Sequence, residues 1–148
     1  MNATARPTSG WVIQQIREAF PFEAAARFIL LDRDSIFSAE VCDAIRRIGV
    51  QPLRTAYLSP WQNGVAERWI GTCRRELLDH VIVLNEEHRC RLLREFVAYY
   101  HDGRTHLSLG KDPPMSRGVS ARPSGSAKIV GLPRIGGLHH RYERAEVA

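Results

Sequence analysis

The chain has 148 residues, 44% hydrophobic and 25% charged, with a mean hydropathy of −0.27. That is the size and composition of one globular domain, neither disordered nor fibrous. Its apolar runs are short, as in Phe28-Ile29-Leu30-Leu31, too short to span a bilayer. No apolar stretch of a secretory leader stands in the first thirty residues. Three cysteines without a CxxC pair argue against a disulfide framework or zinc ribbon and fit a reducing cytoplasm. The net charge is +5 and the pI about 9.6. Arginine dominates the basic residues, with Lys111 and Lys128 the only lysines. The guanidinium reads phosphate with a planar fork, so nucleic acid is a candidate partner. A GC-rich genome would give the same bias.

Thr8-Ser9 is suited to cap a helix running to about Phe20, with Val12, Ile16, Ala19 and Phe20 on one face and Pro21 as its stop. Arg27–Asp32 is an apolar run with polar bounds, the pattern of a buried strand. Ser38 is placed to cap a second helix striped by Val41, Ile45 and Ile48, with Gly49 just past its end. Val50–Tyr57 reads as a second strand, Leu58–Gly64 as a loop, and Val65–His80 as a helix with Val65, Trp69, Cys73 and Leu77 on one stripe. A fourth helix over Glu86–His101 aligns Cys90, Leu93, Val97 and Tyr100. Residues 101–126, rich in Gly, Pro, Ser and Arg, read as an extended connector. Residues 127–144 carry two β-prone runs around Gly136-Gly137, a hairpin pattern. The α-β-α-β order through residue 57 predicts an α/β fold with a parallel strand pair.

Asp32 ends the first clear strand, and ligands of open α/β sheets bind at carboxyl ends of strands. Glu67 follows the LSPWQNG loop at the start of the third helix. Two such carboxylates could converge on Mg²⁺, which takes oxygen ligands. As bare residues they are equally well read as a turn former and a helix-dipole partner. Cys42, Cys73 and Cys90 fall on apolar stripes and read as core. His101, His106, His139 and His140 match no zinc-ligand spacing.

The wider wording is more specific. LDRDSIF, and then SPWQNGVAERWIGTCRREL about thirty residues on, resemble the catalytic core of retroviral integrases and insertion-sequence transposases. Asp32 with Phe37 matches that family's second-Asp pattern, with Asp34 where Gly is usual. Pro60, Asn63, Gly64 and Glu67 match its Pro-x-x-Asn-Gly-x-x-Glu pattern, and 34 residues separate Asp32 from Glu67. YYHDGRTHLSLGKDPP resembles the segment after the core, so the likeness covers roughly residues 2 to 115. GGLHHRYER looks like the C-terminus of one branch.

The resemblance implies a ribonuclease-H-like core with three carboxylates, acting by Mg²⁺- or Mn²⁺-dependent phosphodiester cleavage and strand transfer. Asp32 and Glu67 would be the catalytic and metal-ligating residues, with Asp34 the runner-up for the Asp. Asn63 and Trp61 would lie at the DNA, and Arg68, Arg74 and Arg75 would meet its backbone. Those arginines could equally form a solvated face, with pairs such as Arg75–Asp79. The family's first Asp has no counterpart, because no Asp precedes Asp32. The expectation is therefore a core lacking its first two strands over residues 1–100, a connector over 101–126 and a tail over 127–148. Such a chain would be inactive alone, bind metal weakly or not at all, and be found in the bacterial cytoplasm, on the nucleoid when bound to DNA. DNA is the expected partner, together with further copies or a full-length transposase. The alternative is a non-catalytic DNA-binding or transposase-interacting module.

Overall fold

A computed structural model describes residues 2–22, 26–116, 118 and 127–146. The chain divides into two compact units, residues 2–71 and 72–148, with the boundary inside one helix.

In the first unit, α1 spans Ser9–Ala19, and its Thr8 cap accepts a hydrogen bond from the Trp11 N–H at 3.2 Å. Strand β1 (Phe28–Leu31) leads through a loop into α2 (Ala39–Arg47) and then β2 (Gln51–Arg54). The strands pair in parallel, Phe28 opposite Gln51 and Leu31 opposite Arg54, as the element order predicted. Ser38 holds the cap position of α2 but makes no capping hydrogen bond. Gly49 takes φ +79°, which a side chain would strain, and so lets the chain turn from α2 into β2. Leu31, Val41, Cys42, Ile45 and Val50 are the core, with Val12, Ile13, Ile16, Ile29, Phe37 and Ile48 packed against it.

The sheet corrects one expectation. The apolar run of β1 is buried on one face only. Ile29 and Leu31 face the core, whereas Phe28 and Leu30, with Leu53 of β2, stand about two-fifths exposed. A continuous apolar run does not say whether a second layer exists, and among the described residues none covers this face.

The two edges of the pair also differ. The Gln51 N–H donates to the Arg27 carbonyl at 3.1 Å and the Thr55 N–H to the Leu31 carbonyl at 2.9 Å. In a parallel ladder this turns the backbone groups of Phe28 and Leu30 outward on β1, and those of Pro52 and Arg54 outward on β2. Pro52 has no N–H to offer, so the β2 edge is blunted.

Expected Leu58–Gly64 loop residues include a 3-10 turn, Pro60–Asn63. Helix α3 runs over Gly64–Glu76, shorter than expected, and a separate 3-10 turn takes Leu78–His80. Its apolar stripe holds only in part, since Cys73 and Leu77 are buried but Val65 is 87% exposed. Strand β2 is likewise shorter than the expected Val50–Tyr57.

In the second unit, α4 covers Glu86–Asp102, its Asn85 cap accepting from the His88 N–H at 2.7 Å. Its deepest residues are Cys90, Leu92 and Phe96, so the buried face is rotated from the Cys90, Leu93, Val97 and Tyr100 stripe. Residues 106–112 do not run extended. The Lys111 N–H reaches back to the His106 carbonyl at 2.9 Å around a 3-10 turn at Leu107–Leu109, and Pro113 is buried. Residues 117 and 119–126 of the expected connector lie outside the described residues. The predicted hairpin is present, with β3 (Ala127–Arg134) antiparallel to β4 (His139–Glu146). Its turn needs Gly136 and Gly137 at φ +63° and +94°.

Candidate functional site

Asp32 leaves β1 at its carboxyl end. Its Oδ1 accepts the Asp34 N–H at 2.9 Å, and the Asp34 Oδ1 in turn accepts the Ile36 N–H at 2.9 Å. Two successive side-chain turns of this type tighten the strand-to-helix loop. The Ser9 hydroxyl donates to the Ile36 carbonyl at 2.8 Å, and Arg54 donates to the Phe37 carbonyl, fastening the loop to α1 and β2. Arg33 Nε donates to the Thr55 carbonyl at 3.0 Å, while the Thr55 N–H pairs with Leu31. Buried Thr55 thus ties both strand ends together beside Asp32.

Glu67 follows β2 in the chain, as Asp32 follows β1. The Gln62 Oε1 accepts the Ala56 N–H at 2.6 Å, which pins the 3-10 turn to the chain leaving β2. Asn63 closes that turn, and Glu67 stands exposed in the first turn of α3. Because β1 and β2 are parallel, Asp32 and the Gln62-to-Glu67 segment both follow carboxyl ends of paired strands.

Trp61 is 73% exposed. Arg68, Arg74 and Arg75 are exposed along α3. The expected Arg75–Asp79 pair is replaced by Arg74–Asp79 at 3.4 Å, a long contact at the surface that leaves the guanidinium available. The Arg75 carbonyl instead bonds His80 Nε2 at 2.9 Å.

The carboxylates offer the hard oxygens that Mg²⁺ or Mn²⁺ prefers. Yet among the described residues no three His, Cys, Asp or Glu side chains gather to hold a metal ion. Asp32 also spends one oxygen on the Asp34 N–H. The residues present do not fit the ion by themselves. Nor do His101, His106, His139 and His140 form a metal cluster. All three cysteines are buried and unbridged, and burial pushes the Cys73 thiol up.

Sequence reasoning missed the supports of the site. Arg33 acts through a backbone carbonyl 22 residues on, just past the neighbouring strand, and Gln62 through a backbone N–H six residues back, and no spacing rule encodes either. It also missed the ion pair in the second unit. Arg104 meets Glu76 with Nε at 2.8 Å and Nη2 at 2.6 Å, and its guanidinium lies 5.3 Å from the Tyr100 ring centre. The two hydrogen bonds hold the Glu76 carboxyl below its usual range. The only signal for this pair was Arg104 in the GRTH wording.

Residues 48–114 match the family model described as integrase core domain. That segment is thus similar to the integrase core, the kind of domain found in integrase and transposase catalytic cores, which act on DNA. The matched segment contains Trp61, Asn63, Glu67, Arg68, Arg74, Arg75 and Arg104, and begins after Asp32. No curated protein matches the chain, and no solved structure does. Among the described residues no helix is long and apolar enough to cross a membrane.

Proposed function

We propose that this chain is a DNA-binding component of a ribonuclease-H-like integrase or transposase core, contributing Asp32 and Glu67 to a three-carboxylate site and unable to cut DNA alone. The integrase-core match over residues 48–114 carries this reading. It is supported by the two carboxylates that follow the same ends of the parallel strands. Arg68, Arg74 and Arg75 would meet phosphates, with Asn63 and Trp61 leading into that helix. Phosphate contacts supply affinity and register but no sequence choice.

The proposed inactivity of the chain by itself is supported by one observation: among the described residues no three His, Cys, Asp or Glu side chains gather to hold a metal ion. Incubated with Mg²⁺ or Mn²⁺ and supercoiled DNA, the chain should neither nick nor join strands. Nicking that disappears in Glu67→Gln would overturn this. Binding to duplex DNA should fall steeply with salt, and Arg74→Ala and Arg75→Ala should each lower the log–log slope by about 0.9. A salt-independent affinity, or none, would sink the DNA assignment. The second reading is a module that binds DNA or a transposase without chemistry. That no three such side chains gather among the described residues favours it, and a nicking assay on the chain supplied with a further carboxylate-bearing core segment separates the two.

A further inference from the structure

The stretch GGLHHRYER has no part in the function just proposed. It forms the hairpin turn and much of β4, and the strand register fixes which side chains share a face. Val130 opposes Glu143, Leu132 opposes Arg141 and Arg134 opposes His139. On this face Val130, Leu132, His139 and Arg141 are half-buried. It is the seated face. The His139 ring stacks on Tyr99 with centres 4.6 Å apart and an angle of 15°, lies 6.0 Å from Phe96, and its Nε2 donates to the Glu76 carbonyl at 2.7 Å. Ile135, at the turn, is buried.

Among the described residues nothing covers the opposite face. It presents Ile129, Gly131 and Pro133 from β3 and His140, Tyr142 and Arg144 from β4, all exposed. Tyr142 is 67% exposed and stands across from Gly131. A Cβ at Gly131 would come within 3.3 Å of the Tyr142 ring and 3.5 Å of the His140 ring. Glycine therefore lets both rings settle against β3. The rings lie 6.2 Å apart at 29°, close to parallel. Glu143 is turned to the seated face, where it pairs with Arg141 at 2.8 Å. From His140 to Arg144 the bare face carries aromatic and basic groups and no acid.

We propose that this face binds single-stranded nucleic acid, with unpaired bases stacking on Tyr142 and His140 and Arg144 meeting the adjoining phosphate. Every base offers a π-face, so such a platform tolerates sequence. A duplex hides those faces within its stack, so the site distinguishes unpaired strand from duplex. The neighbouring guanidinium and the chain's net charge of +5 complement a polyanion. A protein partner could use the same Tyr and Arg chemistry and is an outcome of the test rather than the proposal.

The test uses the full chain and a short fluorescein-labelled oligothymidine, with a labelled duplex alongside. Tyr142→Ala should weaken oligothymidine binding about tenfold, while Tyr142→Phe keeps it. Arg144→Ala should lower the salt slope for that strand by about 0.7. Duplex binding should respond to Arg74 and Arg75 and not to Tyr142. In the unaltered chain, an iododeoxyuridine oligonucleotide should photocrosslink to Tyr142 or His140. Unchanged affinity in Tyr142→Ala, equal losses in Tyr142→Phe and Tyr142→Ala, or crosslinks only elsewhere would overturn the proposal. An unaltered chain that binds duplex but no oligothymidine would overturn it too, leave the function reading standing, and point this face to a protein. Loss of duplex binding alone would remove the function reading and leave this one.

Discussion

Asp32 and Asp34 sit in the same turn. Each accepts one loop N–H through Oδ1. An asparagine retains that acceptor, so neither Asp32→Asn nor Asp34→Asn should unfold the loop. Only the charge is lost. Were the three-carboxylate site completed in trans, Asp32→Asn should abolish DNA cutting and Asp34→Asn should cost far less. The reverse order would move the second Asp to position 34. Arg33→Ala is a stability test. It deletes a donor to the carbonyl of a residue that bridges both strand ends, and should lower the urea midpoint by about 1 kcal/mol equivalent with an unchanged slope. Glu67→Gln, exposed in a first helical turn, should shift stability by under about 0.5 kcal/mol. A larger loss would make Glu67 a structural residue.

At the level of elements, local signals decided what could be foreseen. Thr8 and Gly49 were legible because caps and positive-φ turns depend on a few neighbouring residues. The hairpin was legible from Gly136-Gly137. The α4 stripe was misjudged because Leu92 and Leu93 are equally apolar, and the choice between them is made by tertiary packing. Motif wording nominated Asp32 and Glu67 as a pair of site carboxylates, whereas Arg33 and Arg104 hold partners 22 and 28 residues away in the chain, which periodicity does not report. Gly49→Ala should cost about 1 kcal/mol, because alanine at φ +79° is strained even with open space around it. An unchanged thermal midpoint would show that the turn relaxes. The Glu76–Arg104 pair predicts a pH dependence. Its hydrogen bonds depress the folded carboxyl below its unfolded value. Its stabilisation is therefore complete above the unfolded carboxyl pKa, near about 4.3, and is lost as pH falls through the lower folded value. Glu76→Gln should cost about 2 kcal/mol at neutral pH and flatten the acid limb of the stability profile. An acid limb unchanged by the substitution would mean the pair contributes nothing net.

For the whole molecule, the half-covered sheet is the feature with most consequence. Fusing an integrase-core segment that brings a strand and a further Asp ahead of residue 1 should seat that strand on the β1 edge. The expected results are a sharper thermal transition and metal-dependent activity that requires both Asp32 and Glu67. Activity indifferent to both would place the chemistry elsewhere. The unequal edges also limit how copies of the chain can meet through the sheet. A strand approaching β2 finds Pro52 where a donor should be, while one approaching β1 finds the free backbone of Phe28 and Leu30. Edge pairing between copies is therefore favoured as β1 to β1, the same patch on both partners. Such a contact is twofold and closes at a pair, with no free β1 edge left over. The head-to-tail stacking of β1 on β2 that would grow into a filament lacks the donor it needs at Pro52. Pro52 thus weighs against the one edge pairing that would propagate from copy to copy.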